Sequence, residues 1–459
     1  MSKHIKAALV FVCFLSTLAL KAQKIPEIIS PDYHWKSEYS TLLPAHAFDS
    51  TQTNTSDLWV IGGAWTKPHF KLAQKDLVTT PLWQTTNFNT VQGFETSLIT
   101  DYKINSQWIL RGKINYGFKE GVVRPQMSFW YRASTSHSLY FNFGQEIKQF
   151  NNSPAIVPRA NTYASLLYEN NVAKFYQSDF LKGSHFFKKN TKNGQIQIKN
   201  TLGLERNSPL KNRSDFVLFD NSKKNYTSNH PLFPKNKEQT SFLTYSQFTH
   251  DIYFQYAKRS KENKSTTQKY SSSHSSLLGL KTRLPFSVQD LQNRGENSQN
   301  NGRSTLAIAQ HRQQLQIPNL GQFRSFVMLG TFLKTKEIPF VDFKHFNGNE
   351  TLVVRGPYLE VFHLLPYYML STDSSFANLH LEHNFQGQLI QYIPILSEFN
   401  WELMVSYKRL DVSSKSPYQE LGVGLGKIRL GKKSSLRIDY VQSYYDKTYS
   451  KGFVFGFFY

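Results

Sequence analysis

Short segments in which apolar and polar side chains alternate recur along most of the chain. In "FANLHLEHNFQG", residues 376–387, alternate positions from Ala377 to Phe385 are apolar except for His383, and the positions between them are polar. Successive side chains point to opposite faces of a β-strand, so this pattern predicts a strand between an apolar and an aqueous environment. His380 and His383 would then lie on opposite faces, which disfavours a zinc-binding helix at this segment.

The composition indicates how such strands are used. Aromatic residues make up 15% of the chain, yet its mean hydropathy is −0.46. After the N-terminal segment there is no apolar run of the roughly 18 residues that a transmembrane helix needs. Transmembrane strands place only alternate residues against lipid. The sequence therefore predicts an all-β fold, a transmembrane antiparallel β-barrel of about 16 strands with long extracellular loops.

The N-terminus has the features of an export signal. Lys3 and Lys6 precede an apolar run over residues 7–20, and "LKAQ" follows it. A basic start, a short apolar centre and small residues at the end predict a signal peptide, residues 1–22, cleaved after Ala22. The alternative, a membrane anchor, is disfavoured because the run is shorter than the ~20 residues of a membrane span.

The remaining chain divides into two predicted parts, a short periplasmic segment over residues 23–57 and an outer-membrane barrel over residues 58–459. The single cysteine, Cys13, lies in the predicted signal peptide, so the exported chain would have neither a disulfide nor a cysteine metal ligand. We expect the protein in the outer membrane of a Gram-negative cell. Polar stretches predicted to be long extracellular loops are 206–237, 259–274 and 286–303.

The chain is strongly basic, with a formal net charge of +22. In a cytoplasmic protein this charge would suggest nucleic acid. An exported protein instead meets lipopolysaccharide phosphates and acidic glycans, so the predicted partners are outer-membrane lipid and lipopolysaccharide, with no nucleic acid. A solvated loop surface without a specific partner is an equally acceptable reading of the same charge.

Two patterns near the C-terminus carry further predictions. In "GFVFGFFY", Phe453, Phe455, Phe457 and Tyr459 share one face. A terminal apolar strand that ends on an aromatic residue is typical of the signal that the barrel assembly machinery recognises during insertion. In "ELGVGLGKI", residues 420–428, three glycines share the other face of a predicted strand, which indicates either close approach by something packed inside or strand curvature.

The C-terminal third resembles known barrels. "LGVGLGKIRLGKKSSLRIDYVQSYY" followed by "KGFVFGFFY" resembles the end of the surface-antigen barrel of outer-membrane assembly factors. "TLVVRGPY" contains Val354, Arg355 and Gly356, similar to a Val-Arg-Gly motif at the tip of the loop that those barrels fold inward. A closer resemblance, carried by "LHLEHNFQG" and "IPIL", is to an uncharacterised outer-membrane barrel family often fused to a carboxypeptidase-regulatory-like domain, which is not expected here.

The resemblance implies a set of site residues. In the assembly factors the loop arginine pairs with acidic residues on the inner barrel wall. By position Arg355 matches that arginine, and Glu382 would be its partner. The other candidate partners facing the lumen are His380, Arg437 and Asp439.

A non-enzymatic role is expected. "STSHS", residues 134–138, brings serine and histidine together only at the short range of ordinary loops, and no Gly-x-Ser-x-Gly elbow is present. We predict no catalytic residue, metal or cofactor, and a role in transport across the outer envelope or in its biogenesis. One alternative is a passive porin or a structural subunit of a surface complex, whose conductance Arg355→Ala would not change. Another is a secreted β-rich binding protein, which would be extracted without detergent.

Overall fold

The computed structural model describes most of the predicted barrel. The predicted signal peptide, 1–22, and the periplasmic segment, 23–57, lie outside the described residues, as do Arg355, Gly356 and Tyr459. The described residues are 70–72, 77–80, 82–151, 156–218, 226–231, 242, 244–259, 273–288, 302–334, 338–351, 353–354, 358–392, 394, 396–430 and 435–458.

Strands dominate this part of the chain. They are β1 (Phe70–Leu72), β2 (Leu77–Thr80), β3 (Asn87–Asn89), β4 (Gly93–Lys103), β5 (Trp108–Gly117), β6 (Val122–Arg132), β7 (His137–Gln149), β8 (Phe175–Thr191), β9 (Gly194–Pro209), β10 (Tyr245–Arg259), β11 (Ser273–Val288), β12 (Ser304–Ile317), β13 (Gly321–Lys334), β14 (Val353–Val354), β15 (Phe376–Asn384), β16 (Glu402–Val412), β17 (Tyr418–Arg429), β18 (Ser435–Tyr445) and β19 (Thr448–Phe458). Two α-helices, α1 (Leu82–Thr85) and α2 (Pro158–Tyr168), are short. Single 3-10 turns occupy Phe340–Asp342, Tyr358–Glu360, Ile390–Tyr392 and Leu396–Phe399.

One sheet contains all of these strands, and its connections are antiparallel meanders. Each strand from β4 to β13 pairs with the next, β13 pairs with β15, and the series continues to β19. β2 and β3 pair with opposite ends of β4, so they form one strand interrupted by α1. The prediction of an all-β antiparallel fold is confirmed. Among the described residues, fifteen strands have nine or more residues, and together with the interrupted strand they match the expected number of about 16.

The edges of the sheet are occupied differently. β1 forms a hairpin with β2 at one edge. At the other edge, β14 pairs in parallel with β19, where Val353 lies opposite Phe455 and Val354 opposite Gly456. Within the described ranges no ladder joins β19 to the first three strands, so this part of the sheet is open there.

The two faces of the sheet differ in chemistry. Along β15, side chains alternate between fully buried and partly exposed, with Asn378, His380 and Glu382 on the buried, inner face. This agrees with the predicted alternation in "FANLHLEHNFQG". The outer face carries exposed large apolar side chains, among them Phe141, Phe143, Leu181, Leu202, Leu204, Leu278, Leu280, Leu329, Val405, Leu421, Val423 and Phe453. An apolar band of this extent on a sheet's outer face is typical of contact with lipid.

No helix in the described part of the chain is long and apolar enough to cross a membrane.

The connections at the two ends of the sheet differ in length. The three longest connections, 150–174, 210–244 and 335–375, leave the same end of the sheet, which we call the loop end. The other end, which we call the turn end, has the tight connections 104–107, 133–136, 192–193 and 318–320 and the longer connections 260–272 and 385–401. The prediction that 206–237, 259–274 and 286–303 share one side is wrong for the second stretch. Successive connections in an antiparallel meander alternate between ends, so the connection from β10 to β11 leaves the turn end.

Two groups of loop-end residues pack together. We call residues 338–351, 353–354 and 358–375 the inward loop, and residues 150–151, 156–174, 210–218 and 226–231 the cap. Phe150 and Val172 of the cap share an apolar cluster with Phe340 and Tyr368 of the inward loop. The Asn151 side-chain amide also donates to the carbonyl oxygen of Phe346 at 3.0 Å. The cap therefore supports the inward loop.

A buried lysine lies within the cap. Lys174 is 6% exposed, and its Nζ donates to Thr227 Oγ1 at 2.6 Å and to the Ser228 carbonyl oxygen at 2.8 Å. Burial lowers the pKa of Lys174 from 10.5 to about 7, and attraction to Glu350 only partly opposes this. Unfolded chains keep this lysine protonated up to about its ordinary pKa, so between these values the unfolded state binds more protons.

We therefore expect the cap to become more stable as the pH rises from about 7 to about 10. The measurement is hydrogen exchange of residues 156–174, corrected for the intrinsic pH dependence of exchange. In Lys174→Met the gain in protection across this range should disappear. The same gain in the variant as in the unaltered protein would contradict the assignment.

Candidate functional site

Four charged side chains from three strands meet on the inner face of the sheet. We call Arg324 of β13, Glu382 of β15, and Arg437 and Asp439 of β18 the lumen cluster. Arg437 Nη1 lies 2.7 Å from Glu382 Oε2, and Arg437 also binds Asp439 through two contacts of 2.7 Å. Arg324 forms an ion pair with the other oxygen of Glu382. Two guanidinium groups therefore balance two carboxylates.

Three members of the cluster are buried, and Arg324 is partly exposed. Glu382 and Arg437 are each 2% exposed, and Asp439 is fully buried. Taking charges out of water is costly, and these charges are tolerated because each has an opposite partner in hydrogen-bond contact. Removing one partner from a buried pair costs about 3–5 kcal/mol, since the other charge is then left uncompensated. The cluster is consequently sensitive to any change in one member.

Tyr358 of the inward loop docks on this cluster. Its hydroxyl donates to Asp439 Oδ2 at 2.5 Å, and its ring lies under the Arg437 guanidinium, 4.4 Å from ring centroid to Cζ. The hydroxyl binds the acid while the ring face attracts the cation, so one side chain contacts both charges of the pair. Tyr358 thus connects the loop to the wall of the sheet.

Residues 358–364, which we call the docking segment, make further contacts with the wall. Glu360 accepts from Arg312 of β12 at 2.6 and 3.0 Å. The carbonyl oxygen of Leu359 accepts from His380 Nδ1 at 2.7 Å, and that of Val361 accepts from Lys408. These bonds come from three different strands, so the segment spans the inner face rather than following one strand.

The last two residues of the docking segment bind a carboxylate of the wall. The backbone N–H groups of His363 and Leu364 donate to the two oxygens of Glu420, on β17, at 2.8 and 2.7 Å. Between these contacts, Phe362 is fully buried in an apolar cluster with side chains of β12, β13, β15 and β16. Burying a phenylalanine side chain contributes about 1.5–3 kcal/mol. Polar and apolar contacts therefore alternate along the segment.

The glycines of β17 make room for this arrangement. A Cβ atom added at Gly424 would overlap the Asp439 carboxylate, one at Gly422 would meet Ser406 Oγ at 2.6 Å, and one at Gly426 would overlap Met404. The groups that approach these glycines are inner-face side chains of the neighbouring strands β16 and β18, which differs from both explanations offered by the sequence, a segment packed inside and strand curvature. Gly424 in particular lets the carboxylate of Asp439 lie against β17.

The two histidines of β15 face opposite ways, as predicted. His380 is fully buried on the inner face, against Phe362 at 4.5 Å between ring centroids. His383 is on the other face and contacts the Leu320 carbonyl oxygen at 2.7 Å. Among the described residues no group of three or more histidine, cysteine, aspartate or glutamate side chains is placed to hold a metal ion. The hydrogen bonds of His380 and His383 are to backbone carbonyl oxygens.

The other predicted site residues are placed as follows. Val354 is buried in β14, while Arg355 and Gly356 lie outside the described residues, so the pairing of Arg355 with Glu382 stays a prediction. Phe453 is 59% exposed and Val454 2% exposed, which puts the phenylalanine on the outer face as the alternation requires. Phe455 and Phe457 share its parity, and Tyr459 is not described. Their role as an assembly signal stays a prediction.

In "STSHS", Ser134 Oγ accepts from the backbone N–H groups of Ser136 and His137 at 3.1 and 3.0 Å. This is a turn contact, as ordinary loop chemistry predicts.

Several contact residues were not singled out from the sequence. Four of them are polar side chains at inner-face positions of alternating strands, which is the one signal that could have marked them. The partners of all six lie 47 to 81 residues away in the chain, and local patterns do not report such distances. The residues are Arg312, Arg324, Lys408 and Glu420, with Tyr358 and Glu360 on the loop.

The chain matches one family model and is similar to several solved structures. A model described as "Family of unknown function (DUF5686) C-terminal domain" matches residues 60–425. No curated protein matches the sequence.

The similar solved structures have low sequence identity. BamA from Haemophilus ducreyi lacking POTRA domains 1–3 is 11% identical, with a TM-score of 0.42, over 81% of this chain and 69% of that chain. CdiB from Acinetobacter baumannii is 10% identical, with a TM-score of 0.40, over 81% and 58%. The siderophore receptor PirA from Pseudomonas aeruginosa is 7% identical, with a TM-score of 0.36, over 81% and 66%. The chain spans less than two thirds of the last two, and none of these likenesses assigns a function.

Gly424→Ala tests the packing of the cluster. The added methyl group would displace the Asp439 carboxylate and break its bonds to Arg437 and Tyr358, so we expect a loss of about 3–5 kcal/mol in unfolding free energy. Urea unfolding in detergent measures this loss. The matched control is Gly112→Ala in β5, where no atom lies within 4 Å of the added Cβ. Equal effects of the two substitutions would contradict the argument.

Tyr358→Phe tests the loop contact. It removes the hydroxyl that donates to Asp439 but keeps the ring under Arg437, so we expect about 1–3 kcal/mol less protection of the docking segment. Hydrogen exchange of residues 358–364 measures the change. In the control, Tyr444→Phe, an exposed hydroxyl with one 3.4 Å contact is lost and protection should stay the same. Unchanged exchange in both variants would mean that the hydroxyl does not hold the loop.

Proposed function

The chain belongs to the DUF5686 C-terminal domain family, whose function is unknown, and we propose that it is an integral outer-membrane barrel held closed by its inward loop. The outer apolar band supports contact with lipid, and the long connections support an extracellular loop end. The observation that carries the proposal is the docking segment, which charged side chains from β12, β16, β17 and β18 and a histidine from β15 hold against the inner face.

This arrangement favours a gated barrel over an open one. A loop that merely narrows a pore needs few contacts, whereas residues 358–364 are held by an ion pair, several hydrogen bonds and a buried phenylalanine. The inner-wall groups that hold it are charged, so a ligand or partner that competes for them can release the loop. The proposed role is transport across the outer envelope or its biogenesis, without catalysis.

The proposed partners follow from the surfaces. Outer-membrane lipid would cover the apolar band, and the excess of basic residues in the chain would favour contact with lipopolysaccharide phosphates. The apolar outer face of β19 would be recognised by the barrel assembly machinery during insertion. Arg355 would add a further contact between the inward loop and Glu382.

The first test asks whether the protein is a membrane barrel. Membranes are fractionated, extracted with detergent, and run on gels with and without boiling. We expect the protein in the outer-membrane fraction with a heat-dependent shift in mobility. A soluble protein, or one with no shift, would refute the proposed location and barrel.

The second test asks whether the inward loop closes the barrel. We expect low conductance of the purified protein in planar bilayers, and a several-fold higher conductance in Glu420→Gln and Tyr358→Phe, since each loses a contact to the docking segment. Tyr444→Phe serves as the control. Steady high conductance that is the same in all four proteins would instead support the passive porin.

A further inference from the structure

The inward loop does not fill the inner space evenly. Its apolar side chains, including Phe346, Phe362 and Leu365, pack against β12, β13, β15, β16 and β17. Towards β7–β11, a cavity of about 310 Å³ lies between the wall and residues 341–345 of the loop. This volume is at the lower end of the ~300–1,000 Å³ of small-molecule sites.

The cavity has an excess of positive charge. Three carboxylates line it, those of Glu205, Asp251 and Asp342. Six basic side chains line it as well, so the formal excess is three positive charges. They are Lys148, Lys182, Lys199, Lys281, Arg283 and Lys344.

The carboxylates hold the bases in position. Glu205 on β9 lies between Lys148 and Lys182, 3.3 Å from Lys148 Nζ and in contact with Lys182. Asp251 on β10 binds Arg283 at 2.5 Å. Gly203 makes room for Lys182 beside Glu205, because a Cβ atom at Gly203 would lie 2.9 Å from Lys182 Cγ. Lys148, Lys182 and Arg283 are thus fixed before any ligand arrives, which reduces the ordering cost of binding.

The third carboxylate, that of Asp342, is bound by other protein groups. Asp342 of the inward loop accepts from the Tyr245 hydroxyl at 3.1 Å and from Gln247 Nε2 at 3.4 Å, and it lies 3.8 Å from Arg283. Its hydrogen bonds join the loop to β10. The acids therefore serve as internal partners, and the net field inside the cavity remains positive.

We propose that this cavity binds a small anion through a phosphate group. Lysine ammonium groups act as point charges for phosphate, and a group with two negative charges matches the excess better than a halide does. The volume suits inorganic phosphate or a phosphorylated sugar. The inference rests on the proposed barrel only for the route by which the ligand reaches the cavity, since binding itself needs only the folded protein.

The experiment is calorimetric titration of the detergent-purified protein with inorganic phosphate and with glucose 6-phosphate, using chloride as the comparison anion. We expect one site that weakens as salt concentration rises. Lys281→Gln with Lys344→Gln keeps the ion pairs of Glu205 and Asp251 and should weaken phosphate binding about tenfold or more. Lys103→Gln with Lys451→Gln removes the same charge from exposed positions and should leave binding unchanged.

A charge-conserving variant guards against misfolding. Lys281→Arg with Lys344→Arg keeps both positive charges at the cavity and leaves the pairs of Glu205 intact, so phosphate should bind with about the affinity of the unaltered protein. Absence of phosphate binding, or equal weakening in the cavity and surface double variants, would overturn the proposal. Competition by purified lipopolysaccharide would assign the phosphate to a lipid, and its absence to a soluble ligand.

The two proposals fail in different ways. If the protein shows no heat shift or no outer-membrane location but still binds phosphate through the cavity lysines, the proposed function fails and this inference stands. If the closed barrel is confirmed but no anion binds, only this inference fails.

Discussion

The position of Arg437 between Glu382 and Asp439 is the contact on which the inner architecture depends. A buried guanidinium is stable only with its charge balanced, so β15 and β18 must present both acids at the same height. Two strands separate these partners, and β17 allows the contact because it has glycine where a side chain would block Asp439. Tyr358 then binds both members of one pair. The loop position therefore follows from how the wall satisfies its own charges.

The inner space is divided into two chemically distinct halves. The wall from β12 to β18 is covered by the inward loop through apolar packing and charge pairs. The wall from β7 to β11 faces a basic cavity. The loop is anchored on one side and leaves room beside it, so the proposed closure and the proposed phosphate binding would use different residues. Release of the loop by competition for its anchors would connect the two halves, since residues 341–345 border the cavity.

Much of the fold followed from local patterns. Alternation predicted β15 with its inner face at His380 and Glu382, and it placed Arg437 and Asp439 on one face of β18. It did not identify the partners, because Arg324, Tyr358 and Glu420 come from other strands or from the loop. The placement of 259–274 with the extracellular loops was wrong. The composition of a connection does not show at which end of the sheet it lies, because that end depends on the number of strands before the connection.

The sequence by itself determined which side chains face inward and which face outward, since a strand has a period of two and each segment carries that period. It also determined the strand-rich class, because short segments with this period recur along most of the chain. Only the tertiary structure decided which inward charges meet. Arg437 is 55 residues from Glu382, and their contact at 2.7 Å depends on strand register, on the glycines between them and on the path of the loop. Those are properties of the assembled sheet, so no local pattern contains them.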